Sequence, residues 1–202
     1  MKFIIGKKVG MTQIYEGDKI VPVTVVEAGP CLVSQIKSKD TDGYESWQLA
    51  FGKTKHIARP QKGHLKNLGD LAHMKEFRFK QSPPEKKLSI GDTIDASWFS
   101  EGEEVKVAGL SKGRGFMGVV KRHGFSGGPA SHGQKHQHRA PGSIGGGFPE
   151  RVTKGRRMAG RSGSEKNIIK SEIVKIDKDN NLIAFKGALP GRRGTILTIV
   201  SK

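Results

Sequence analysis

The stretch Val105 to Gly118, VKVAGLSKGRGFMG, decides how this chain is built. Val105 to Leu110 has strand character, and at Ser111 that character stops and glycine alternates with cations at Lys112, Gly113, Arg114 and Gly115. A strand of a folded body therefore runs directly into a segment that cannot build a core. From Val105 to Pro149 there is no Asp or Glu, although Lys121, Arg122, Lys135 and Arg139 follow the first two cations. Widened to Ser111–Arg161, the window holds 11 Lys or Arg, one acid (Glu150), 13 glycines and three prolines, so it carries +10 of the chain's net +17. Such a segment has too little apolar surface to fold on itself, and its charge calls for an external polyanion, of which nucleic acid is the obvious candidate. An ordinary solvated face would mix both signs, whereas here the counter-charge is missing.

Working outward, β-branched residues dominate Ile20 to Glu27, preceded by the turn Glu16 to Lys19, so Met11–Tyr15 and Ile20–Glu27 are expected to form a hairpin. Gly29 and Pro30 break the chain before Cys31–Lys37, and Asp40–Gly43 is a turn before Trp47–Phe51. Between Gly52 and Pro84 the residues turn basic and polar, punctuated by Pro60, Gly63, Gly69, Pro83 and Pro84; a short helix is expected near Pro60–Leu71 and a strand near Phe77–Phe79. Strands resume at Ile94–Phe99 and Val105–Leu110, and again at Ile168–Ile176, Leu182–Phe185 and Thr195–Val200, with Asp177–Asn181 as a hairpin turn. Short strands joined by turns predict a mainly β chain in a closed or nearly closed antiparallel barrel. The expected organisation is a barrel body from 1–51, 88–110 and 166–202, a small α+β insert at 52–87, and a long, irregular basic loop extension at 111–165.

Several chemistries fit the residues poorly. Cys31 is the only cysteine, which excludes an internal disulfide, and with no His or acid nearby it reads as a small buried hydrophobe. Apolar runs such as Ile196–Val200 are far too short for a bilayer, and Met1–Tyr15 lacks the apolar run and cleavage site of a signal peptide, so a soluble protein in a reducing compartment is expected. Gly113, Gly115 and Gly118 spell GxGxxG, but Gly124, Gly127, Gly128 and Pro129 forbid the long helix a dinucleotide needs, and no acid follows before Glu150. His132, His136 and His138 are spaced HxxxHxH, yet Lys135 and Arg139 would repel a metal cation; stacking on bases or donating to phosphates suits them better. Around Ser143, from Pro141 to Gly147, no acid is adjacent, and the chain's acids cluster in turns such as Asp40, Glu101 and Asp177, so nothing points to an active site. Neither enzyme activity, cofactor nor small-molecule substrate is expected.

Longer runs resemble one known family. Ile5-Gly-Lys-Lys-Val-Gly-Met-Thr12, the Val23–Pro30 stretch ending Glu-Ala-Gly-Pro, Ser111-Lys-Gly-Arg-Gly-Phe116, Val120-Lys-Arg-His123, Arg139-Ala-Pro-Gly-Ser-Ile-Gly145 and Lys154-Gly-Arg-Arg-Met-Ala-Gly160 together resemble the ribosomal protein L3 family, in order and across essentially the whole chain. The resemblance implies a six-stranded closed barrel of the translation-protein kind and a structural role in the large ribosomal subunit, in the cytoplasm. It implies 23S-type rRNA and neighbouring large-subunit proteins as partners, no membrane, and a part in early subunit assembly. The expected rRNA contacts are Lys112, Arg114, Lys121, Arg122, His123, His132, Lys135, His136, His138 and Arg139 on one limb and Arg151, Lys154, Arg156, Arg157 and Arg161 on the other. By the same resemblance the tip nearest the peptidyl transferase centre is Ser143, Ile144, Gly145, Gly146, Gly147 and Phe148.

Two rivals stand beside this reading. A transient translation-factor-like RNA-binding module would be expected to show a P-loop, and no complete Gly-x-x-x-x-Gly-Lys-Ser/Thr occurs, since Trp47 stands where Gly52-Lys53-Thr54 would need the leading glycine. A flavin enzyme on a similar barrel would be coloured when purified. Some members of the family carry a side-chain-methylated glutamine just after Gly-Ser-Ile-Gly, where this chain has Gly146, Gly147 and Phe148. Peptide mass spectrometry over Pro141–Arg151 is therefore expected to find unmodified masses, and a shift of one methyl group there would contradict the reading.

Overall fold

The computed structural model describes residues 2–66, 68–79 and 88–201. Two compact units are present: Met1–Leu110 with Lys166–Lys202, and Ser111–Glu165. In the first, six long strands form one antiparallel ladder: β1 (Phe3–Glu16), β2 (Lys19–Ala28), β7 (Glu104–Leu110), β10 (Lys166–Asp177), β11 (Leu182–Lys186) and β12 (Ile196–Ser201). Their order is β1-β12-β7-β10-β11-β2, and β2 pairs back onto β1 from Gly6↔Ala28 to Glu16↔Lys19, so every strand has a neighbour on both sides. The period-two pattern dictates this: Leu197, Ile199 and Ser201 of β12, and Val105 and Val107 of β7, are buried, with more exposed residues between them. Register shifts at Lys8/Gly10 and at Ile173/Lys175 bend the ladder.

A second sheet contains β3 (Cys31–Lys37), β4 (Ser46–Lys53), β5 (Leu71–Arg78) and β6 (Thr93–Ile94), in the order β5-β4-β3-β6. Cys31–Lys37 and Trp47–Phe51 therefore do not join the six-stranded ladder, as their assignment to a barrel body over 1–51 implied. The break at Gly29 and Pro30 releases β3 to pair with β4, from Cys31↔Phe51 to Lys37↔Ser46. The expected strand Ile94–Phe99 shortens to Thr93–Ile94, because the Asp95 carboxylate accepts from the Ser97 N–H at 3.1 Å and turns Ala96–Trp98 into a 3₁₀ helix. Within the expected insert lie the six-residue helix α2 (Arg59–His64) and β5, which extends well before Phe77; Pro83 and Pro84 lie outside the described residues. A four-residue helix, α1 (Lys39–Asp42), fills the turn between β3 and β4.

One core joins the two sheets. Phe3, 1 % exposed, stacks on Phe77 at 4.4 Å between ring centroids and meets Trp47 and Trp98 edge-on, each at 5.7 Å. Cys31 is buried at the start of β3, its thiol donates to the Ile5 carbonyl at 3.3 Å, and burial pushes its pKa up to about 12. Across the second sheet, hydrogen bonding and charge from Lys37 hold the Glu76 carboxyl down at about 2. Truncating the fully buried ring at the centre of this aromatic contact should be costly. Phe3→Ala is expected to lower unfolding stability by about 3–5 kcal/mol in urea titration, against within ~0.5 kcal/mol for Tyr15→Ala at a largely exposed position.

Candidate nucleic-acid interface

The second unit is built from backbone hydrogen bonds rather than a core: between Ser111 and Glu165 only Met117 and Val119 are buried. At its root the two limbs are zipped together. The Ser111 N–H donates to the Glu165 carbonyl at 2.9 Å, the Glu165 N–H to Ser111 Oγ at 3.2 Å, and the Arg114 N–H to the Ser162 carbonyl at 2.9 Å. β8 (Gly115–Met117) then pairs antiparallel with β9 (Gly160–Ser162). Gly163 completes the root at φ +80°, where a Cβ would run into the Lys112 carbonyl oxygen.

Beyond this ribbon the five-residue helix α3 (Val119–His123) starts at Gly118 and stops at Gly124, which is left-handed at φ 73°. The GxGxxG glycines are thus spent on a short ribbon and one turn of helix. Lys121, Arg122 and His123 fill the last turn, where cations favour the helix's negative end. Two of them reach across to the return limb: Arg122 Nη1 donates to the Met158 carbonyl at 3.0 Å, and His123 Nε2 lies 3.0 Å from the same oxygen. Further out, the Gly128 N–H donates to the His138 carbonyl at 3.0 Å, folding residues 127–128 back on 137–138. His138 Nε2 lies 3.0 Å from the Gln134 carbonyl, so one member of the histidine cluster is already engaged. Among the described residues no group of three His, Cys, Asp or Glu is placed to hold a metal.

At the tip, Arg156 Nη2 donates to the Ser143 carbonyl at 2.7 Å and Ser143 Oγ donates to the Gly145 carbonyl at 2.8 Å. Every residue from Pro141 to Arg151 is exposed, Phe148 at 94 %. Arg122, His123, His138 and Arg156 therefore brace the arm. The side chains of Lys112, Arg114, Lys121, His132, Lys135, His136, Arg139, Arg151, Lys154, Arg157 and Arg161 are exposed, and none of the ion pairs among the described residues falls in this unit. Sequence reasoning passed over Phe116, 74 % exposed on β8, together with Val152 and Met158, also exposed. Their signal was available: apolar residues spaced among glycines and cations, where there is no core to receive them.

A β body carrying an exposed, acid-poor basic arm has the build of a nucleic-acid-binding protein of the structural, ribosomal sort. The family model described as Ribosomal protein L3 matches residues 52–185. Over 205 residues the chain is 50 % identical to "Large ribosomal subunit protein uL3" of Thermosipho melanesiensis, covering 100 % of this chain and 98 % of that one. It is 48 % identical over 201 residues to the protein of the same name from Herpetosiphon aurantiacus (97 % and 94 % covered), and 47 % identical over 206 residues to that of Chloroherpeton thalassium (100 % and 99 %). The chain belongs to the ribosomal protein L3 family.

The fold-back at Gly127 gives a local test of the arm's architecture. Gly127 sits at φ +78°, and a Cβ there would collide with the His138 carbonyl oxygen. Gly127→Ala is expected to open residues 125–140 of the free protein to limited proteolysis, while the thermal unfolding of the β body stays unchanged.

Proposed function

We propose that this protein is a structural constituent of the large ribosomal subunit in the cytoplasm, not an enzyme, and that it binds large-subunit rRNA directly through the Ser111–Glu165 arm and supports early subunit assembly. The observation that carries the reading is the 11 cations of Ser111–Arg161, which no ion pair among the described residues neutralises. Relatives of nearly full length that are named large ribosomal subunit proteins support the choice of RNA. The six-stranded ladder serves as a closed barrel of the translation-protein kind, holding both ends of the arm.

In this role Lys and Arg offset the repulsion of crowded phosphates, which fixes position rather than reading sequence. Arg122 and His123 tie the two limbs, Arg156 ties the return limb to the tip and His138 closes a local turn, each with a single ring or guanidinium nitrogen. Exposed Phe148 and Ile144 offer faces on which unstacked bases can lie, and the tip Ser143–Phe148 is the part directed toward the peptidyl transferase centre. Neighbouring large-subunit proteins meet the β body. The organisation that serves this is a body from 1–51, 88–110 and 166–202, the insert 52–87, and the arm 111–165.

Among the described residues the side chains of Arg139 and Arg157 enter no hydrogen bond or ion pair, so their reversal probes RNA contact rather than arm structure. Arg139→Glu with Arg157→Glu is expected to reduce incorporation into reconstituted large subunits while the urea midpoint of the body stays put. Binding of the intact chain to 23S-type rRNA fragments should weaken with salt, with a log–log slope of about 0.7–0.9 per neutralised phosphate. An affinity indifferent to salt would sink the proposal.

A further inference from the structure

A groove lined only by residues of the β body has no part in that function. Two hollows of about 390 and 440 Å³ share Lys75, Ala108, Lys166 and Thr198, so they form one continuous channel. Its wall is β5, the terminal strand of its sheet, which among the described residues is bonded on one side only, to β4. Residues of both faces of β5 line the channel (Lys75 and Phe77 from one, Glu76 and Arg78 from the other), because it runs along that free edge. The floor is the outward face of β12, β7 and β10, where Ala108 stands between Thr198 and Ile168 in register.

We infer that this groove is a second RNA-binding surface, in which Lys75, Lys106 and Lys166 hold the phosphodiester backbone of an rRNA strand along the free edge of β5. The inference rests on the ribosomal reading above. Lys75, Lys106 and Lys166 are all exposed and enter none of the ion pairs among the described residues. Lys106 also stands directly opposite Lys170 in the β7–β10 ladder, a like-charge juxtaposition that costs stability until an anion relieves it. The one acid lining the channel, Glu76, is already engaged by Lys37 at 3.0 Å and Arg78 at 3.4 Å, so it does not cancel the lysines.

The chemistry of the lining selects the occupant. Lysines are donors only, suited as compact charges to phosphate. An unpaired strand edge offers N–H groups to phosphate and carbonyls to ribose hydroxyls. The floor mixes Ala108, Gly109 and Thr198 with the apolar Ile168, Ile196 and Val200, and Thr198 Oγ1 already donates to the Ala108 carbonyl at 3.3 Å. Apolar side chains there can take base faces while the three lysines take the phosphates between them.

The test compares three variants of the full chain binding 23S-type rRNA fragments: Lys75→Gln/Lys106→Gln/Lys166→Gln, the same three positions to Arg, and Arg139→Glu/Arg157→Glu. The Gln variant is expected to bind at least tenfold more weakly at low salt, with a salt slope shallower by about two, and to lose ultraviolet cross-links from β5, β7 and β10 to RNA while keeping those from the arm. The Arg variant, retaining charge, should bind as the unaltered chain does; if it binds as weakly as the Gln variant, the proposal is overturned. Unchanged binding by the Gln variant while the arm variant weakens overturns the groove alone, and unchanged binding by both overturns the arm reading too. In assembled subunits, cross-links from these lysines to an acidic protein segment instead of RNA would also refute it.

Discussion

Like charges strung along one segment must be kept apart or neutralised from outside, and nearly everything distinctive here follows from that constraint. With 11 cations and one acid between Ser111 and Arg161, the second unit cannot collapse around a core, and it buries only Met117 and Val119. What order it has comes from backbone hydrogen bonds and from cations that donate to carbonyl oxygens. The Met158 carbonyl receives Arg122 and has His123 beside it, and the Ser143 carbonyl receives Arg156. A carbonyl is the only internal acceptor that remains plentiful once carboxylates are gone. The arm thus spends a few of its own charges on holding its limbs together and presents the rest.

An arm without a core needs its root fixed elsewhere, and the β body supplies strands on both sides of it. β7 ends at Leu110 and β10 begins at Lys166, and the two are paired with Lys166 opposite Leu110. The two ends of a 55-residue excursion are therefore held at neighbouring positions of one ladder. The rigidity behind that pairing comes from the core, where Phe3 on β1 packs with Phe77 and Trp47 of the second sheet and with Trp98. Side chains in a close-packed interior transmit displacement rather than absorb it. The aromatic contact thus belongs to the same core as Val105 and Val107 of β7 and Ile173 of β10, the strands that flank the arm in the chain.

Local features of this build were legible in the sequence. The turn at Asp177–Asn181 was readable because Asp177 is a residue whose carboxylate can accept from N–H groups just ahead, and it does so from Asp179 and Asn180 at 3.1 and 3.2 Å. The change from Leu110 to Ser111 was readable because strand character stops and glycine begins. The sheet to which Cys31–Lys37 belongs was not, since β-branched runs specify strands without specifying partners; after the break at Gly29 and Pro30 the strand pairs with Ser46–Lys53 instead. Asp95 acting as a cap was hidden inside an apolar run. In the arm, the excess charge was visible but its division of labour was not, because Arg122 and Met158 are 36 residues apart and only folding brings them together.

The glycines and the cations of the arm are coupled. A cation on a flexible chain loses more entropy on reaching a phosphate than one already placed, and glycine maximises that flexibility in the free chain. The arm offsets this by fixing its glycines where they are most permissive: Gly163 and Gly127 adopt left-handed conformations beside carbonyls that leave no room for a Cβ. Each such close approach lets two backbone segments lie side by side with no side chain between them, Gly163 joining the two limbs at the root and Gly127 folding the outgoing limb onto itself. A side chain at Gly163 would force the limbs apart where they leave the body, and one at Gly127 would open the fold-back onto His138, so that the cations beyond it would have to be ordered by the anion itself.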